Sequence, residues 1–79
     1  MNNKNKLFKV VAEVFNVKLN SIDMNTNSNN IKNWDSLGMI NLITEIEKTF
    51  NIKFDILEIP LLHSIKIIIE KLEKKGIMF

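Results

Sequence analysis

Cysteine is absent from the 79 residues, which excludes disulfides and thiolate metal sites. Histidine occurs once, as His63, and a lone imidazole does not make a metal cluster. Arginine is also missing: all eleven basic residues are lysine. With no arginine, no clustered basic face and no aromatic stacking platform, a nucleic-acid binder is not expected despite the formal charge of +2. No run approaches the ~20 apolar residues that a membrane helix needs. The opening MNNKNKLFKVV lacks a long apolar core followed by a small-residue cleavage site. The expected location is therefore the cytoplasm.

What is present is enough apolar residue, 46% of the chain, for one small domain spanning 1–79. Thirteen isoleucines and twelve asparagines accompany the lysines, a bias that an AT-rich coding sequence produces as readily as function does. Charge is unevenly spread. From Asp35 to Glu58 there are five acids (Asp35, Glu45, Glu47, Asp55, Glu58) against Lys48 and Lys53, a local −3. The lysines lie mainly towards the two ends, so the middle of the chain offers an acidic face to a basic partner.

The most ordered pattern is Trp34 to Phe50, WDSLGMINLITEIEKTF. Leu42, Ile46 and Phe50 recur at steps of four, with Met39 and Ile43 one helical step to the side, which is the stripe of an amphipathic helix. Asp35 or Ser36 caps its first turn, since a short side-chain oxygen accepts from the N–H groups left unpaired there. Read by itself, Asp-Ser before a helix is an ordinary N-cap. A hydroxyl at that point is nevertheless well placed to carry an anionic group, because the unpaired N–H groups and the helix dipole favour a phosphodiester.

Leu7, Val10, Val11, Val14 and Phe15 predict a first helix from about Asn3 to Asn16. From Val17 to Trp34 the helical period gives way to Asn, Ser and Thr, a long loop with Ile22, Met24, Ile31 and Trp34 as its anchors. Asp23-x-Asn25-x-Asn27 has the opening spacing of a calcium loop. The sharp-turn glycine is replaced by Ser28, however, and Trp34 stands where a bidentate Glu belongs, so turn chemistry is the better reading. After the central helix, Ile52 and Phe54 alternate with Lys53 and tuck a connection beneath the bundle. A short helical turn is expected over Asp55 to Ile59, capped by Asp55 and ended by Pro60. The last helix is expected from near Ser64 to Lys75, burying Ile65, Ile68, Ile69 and Leu72, with Gly76 just past its end. The expected fold is all-α: a small four-helix bundle of three main helices and one short one, with a long first loop.

This order of parts, with Asp35-Ser36-Leu37 opening the second helix and Glu47 and Phe50 further along it, resembles the acyl carrier protein family and its peptidyl and D-alanyl carrier relatives. The likeness covers nearly the whole chain. It implies that Ser36 receives a 4′-phosphopantetheine arm from coenzyme A, transferred by a magnesium-dependent phosphopantetheinyl transferase. It implies further that the chain catalyses nothing itself and carries an acyl or aminoacyl group as a thioester on the arm. By the same resemblance Asp35 helps to position the modifying enzyme, and Leu37 is an exposed apolar contact. Glu45, Glu47, Asp55 and Glu58 become acidic contacts for acyl-loading and acyl-transfer enzymes. Such a carrier is expected to be a monomer that binds no nucleic acid and does not insert into a membrane.

Met39, Ile40 and Ile43 lie where they could border an acyl chain, yet a stripe at helical spacing is more often plain core. Gly38 and Asn41 stand where housekeeping fatty-acid carriers often have acids, and the chain is basic where those carriers are acidic. Both departures weaken the case for general fatty-acid synthesis and favour a specialised biosynthetic pathway, with fatty-acid-related synthesis kept as the other service. Gly38, at about 1 kcal/mol below Ala in helix propensity, is expected to loosen the first turn or admit a partner closely. The competing reading is an unmodified helical protein–protein interaction domain on the same scaffold.

Overall fold

The computed structural model describes residues 2–79. Three helices form in the expected order: α1 (Asn3–Phe15), α2 (Ser36–Phe50) and α3 (Ile65–Lys74). Two 3-10 turns, Leu19–Ser21 and Ile59–Leu61, lie in the connections. The described residues contain no strand, only an isolated bridge between Asn27 and Ser64.

Each helix is started by a short polar side chain. Asn2 accepts from Lys4 N–H before α1, Asp35 from Gly38 N–H before α2, and Ser64 from Ile67 N–H before α3. Asn16 and Asn51 end α1 and α2 in the left-handed conformation, the non-glycine type that tolerates it best, and Gly76 takes positive φ just after α3.

The three apolar stripes meet in one core. Leu7 and Val11 of α1, Leu42 and Ile46 of α2, and Ile65, Ile68 and Leu72 of α3 are fully buried, with Leu62 between them. The long loop is pinned to this core by Ile22, Ile31 and Trp34, all buried, with Met24 half-buried beside them. Trp34 stacks on Phe15 with ring centroids 5.3 Å apart. Between the anchors, asparagine and aspartate side chains fold the loop on itself. Asp23 accepts from Asn25 N–H, Asn27 from Asn29 N–H, and Asn30 from Asn27 N–H. Turn chemistry thus accounts for the Asn-rich composition.

The fourth helix is reduced and displaced. Pro60 lies inside the Ile59–Leu61 turn instead of ending one over Asp55 to Ile59. Proline lacks an N–H, but the first positions of a turn need none, so its fixed φ starts the turn there. Nor does the Asp55 carboxylate cap it. The Asp55 N–H donates to Glu58 Oε1 at 2.8 Å and its carbonyl accepts from Glu58 N–H at 2.9 Å, closing a separate tight turn upstream.

Candidate functional site

Ser36 is the first residue of α2 and is exposed. Asp35, its neighbour, supplies the cap through Oδ1, 2.9 Å from Gly38 N. Ser36 is therefore not the capping side chain, and its hydroxyl is left free for other chemistry. The first N–H groups of the helix have no carbonyl partner within it, so the site has partial positive charge as well as donors. Leu37, next along, is 69% exposed.

A cleft of about 370 Å³ opens beside Ser36, between the start of α2 and the Ile59–Leu61 turn. Met39, Ile40, Ile59 and Pro60 give it apolar walls, Trp34 and Asp35 contribute from the end of the loop, and Ser28 and His63 add polar groups. Ser28, Ile59, Pro60 and His63 were not legible as site residues in the sequence. They arrive through backbone pairing of distant segments. Ser28 N–H donates to the His63 carbonyl at 2.8 Å and Ile65 N–H to the Thr26 carbonyl at 3.0 Å, which draws the first loop to the start of α3. His63 and Ser36 thereby share a cleft, an arrangement that periodicity does not suggest. No hydrogen bond joins their side chains among the described residues.

Two readings of the second helix need correction. Ile40 is not core: it is 60% exposed, and Met39 is half-buried, so both form cleft wall while Ile43 packs inside. Gly38 does not loosen the first turn. It is buried, and a β-carbon there would overlap the Asn33 carbonyl oxygen and stand 2.9 Å from Phe15 Cε1. The glycine is a packing requirement that lets the loop close onto α2.

The acidic residues divide into two sets. Glu45 and Asp55 are exposed, and Glu45 makes only a 3.7 Å surface pair with Lys48. Glu47 and Glu58 are committed within the chain. Glu47 Oε2 accepts from Phe54 N–H at 2.9 Å, fastening the segment after α2. Glu58 Oε1 lies 2.8 Å from Lys75 Nζ, and Lys75 also sits over the Phe54 ring. The Lys75 hydrogen bond, aided by the Asp55 N–H, holds the Glu58 carboxyl below its ordinary pKa.

These features define a class: a small helical domain that presents a free hydroxyl at the positive end of a helix, beside an apolar cleft. The family model described as phosphopantetheine attachment site matches residues 5–72, and the chain belongs to that family. It is a carrier with a 4′-phosphopantetheine prosthetic group. A search of curated proteins returned no match. The surroundings of Ser36 fit such a group: an accessible hydroxyl, unpaired backbone donors for a phosphate, and a cleft within the ~300–1,000 Å³ range of small-ligand sites. Among the described residues, no group of three or more metal-ligating side chains gathers, and no helix is long and apolar enough to cross a membrane.

Proposed function

We propose that Ser36 is the attachment point of the arm and that the chain carries acyl or aminoacyl groups for a specialised biosynthetic pathway. The observation that carries this reading is the exposed hydroxyl of Ser36 at the first position of α2, capped by its neighbour and opening on the cleft. When bound, the arm supplies a terminal thiol that holds cargo as a thioester. The residues of the chain do the rest. The helix N-terminus stabilises the phosphodiester charge, and Asp35 fixes the turn that presents Ser36.

Partner enzymes meet the exposed residues Leu37, Asp35, Glu45 and Asp55. Glu47 and Glu58 act mainly in holding the connection between α2 and α3, since their carboxylates already have partners. Each exposed acid contributes only a fraction of a kcal/mol to binding and serves chiefly to steer a basic partner. The absence of cysteine leaves the arm thiol without an internal competitor. On this reading the protein works in the cytoplasm, as a monomeric substrate of a phosphopantetheinyl transferase that takes the arm from coenzyme A.

The test is intact mass after incubation with coenzyme A, magnesium and a broad-specificity phosphopantetheinyl transferase. One phosphopantetheine is added to the wild type and none to Ser36→Ala. An unmodified wild type, with a control carrier modified in the same tube, would favour an interaction domain that works without the arm.

A further inference from the structure

Trp34 Nε1 is the one buried side-chain nitrogen or oxygen among the described residues that has no hydrogen-bond partner. The residue is only 5% exposed, so its indole N–H is held away from water. Such a group is costly to leave unpaired, and an orphan of this kind in a native protein calls for an acceptor. Trp34 also lines the cleft that Ser36 opens onto. The anchor of the loop and the unpaired donor are thus the same side chain.

The cleft has the make-up of a small-ligand site: mostly apolar walls with a few polar groups. The arm has the matching make-up, a dimethyl-substituted carbon and short alkyl links separating two amides. Resting on attachment at Ser36, we propose that the cleft docks the part of the arm nearest the protein and that Trp34 Nε1–H donates to one of its amide carbonyl oxygens. Trp34 is then a positioning residue. It holds the arm against the protein. Because the nitrogen is buried, docking has to shift a wall side chain. Met39, unbranched and half-buried in the same wall, is the one suited to move.

Trp34 is the sole tryptophan, so a ¹⁵N-labelled sample gives a single indole N–H signal. It would be followed before and after enzymatic addition of the arm, with complete addition established by mass. Docking shifts this signal, slows its solvent exchange about fivefold, the effect of a hydrogen bond worth ~1 kcal/mol, and produces nuclear Overhauser contacts between the indole N–H and arm protons. Trp34→Phe keeps a ring to stack on Phe15 and removes the donor. In that variant the contacts between the arm and the Ile40 and Ile59 methyls weaken, although the arm is still added. A fully modified wild type with an unmoved indole signal overturns the proposal. A shift without contacts to the arm also overturns it, because the phosphate charge alone would account for that. Failure of Ser36 to accept the arm at all strikes the attachment assignment instead, and mass tells the two apart.

Discussion

The Asn33 carbonyl oxygen occupies the space that a β-carbon on Gly38 would need. The last turn of the loop is thereby seated directly on the first turn of α2, with Phe15 closing the other side. Ser36 and Asp35 owe their position to this contact. Considered as helix alone, Gly38→Ala gains about 1 kcal/mol of propensity. Against that stands overpacking, which typically costs ~1–3 kcal/mol and more when the obstacle is backbone that cannot rotate away. The second effect wins. Gly38→Ala is expected to lower stability in urea denaturation, and a stabilised variant would contradict the packing described.

Glu47 and Glu45 lie on the same helix but do different work. Glu47→Ala leaves the N–H of buried Phe54 without its carboxylate acceptor. The expected loss is ~1–3 kcal/mol of stability, the cost of leaving a buried donor unsatisfied. Glu45→Ala is expected to stay within ~0.5 kcal/mol of wild type, since its ion pair is exposed. Equal stability of the two variants would return Glu47 to the set of plain surface acids.

Glu58 makes stability depend on pH in a defined direction. Its folded-state pKa lies below the ordinary value of 4.5, chiefly through the Lys75 hydrogen bond. The contribution is therefore complete above that value and is lost as pH falls through the folded-state pKa. Glu58→Gln is expected to be less stable than wild type at neutral pH, with the gap closing below about pH 4.5. Paired denaturation curves at neutral and acid pH measure this. A gap independent of pH would show that the ion pair with Lys75 contributes nothing.

The two faces of α2 are separated by substitution. Leu42→Ala or Ile46→Ala empties a fully buried position and is expected to cost ~2–5 kcal/mol. In a domain whose total stability is of order 5–15 kcal/mol, that approaches unfolding. Ile40→Ala, on the exposed wall of the cleft, is expected to change stability by no more than ~0.5 kcal/mol. Thermal melts of the three variants decide it, and a severe loss for Ile40→Ala would place that residue in the core.

Much of the fold was legible because it rests on local rules. The stripe of Leu42, Ile46 and Phe50 and the Asp-Ser cap announce α2 from spacing and side-chain chemistry alone, and α1 and α3 are read the same way. Ile22, Ile31 and Trp34 were legible as anchors because isolated apolar residues in a polar loop have few other uses. What was not legible depends on contacts between distant residues. Gly38 reads as a weak helix former until the Asn33 carbonyl is placed beside it. Glu47 and Glu58 look like free acids until the Phe54 N–H and the Lys75 ammonium reach them. The cleft is assembled from the loop, α2 and the segment before α3, so His63 and Ser28 carried no sign of it. Pro60 reads as a stop because it pushes its predecessor out of the helical region, yet its fixed φ and missing N–H suit the start of a short turn.

Attachment at Ser36 is the claim on which the functional account turns, and Ser28 on the same cleft is its nearest rival hydroxyl. The most direct measurement is fragment-ion mass spectrometry of the modified chain, which assigns the added phosphopantetheine to a residue. The expected result is a single addition on Ser36, absent from the peptide bearing Ser28. Addition at Ser28, or modification that persists in Ser36→Ala, would contradict the account.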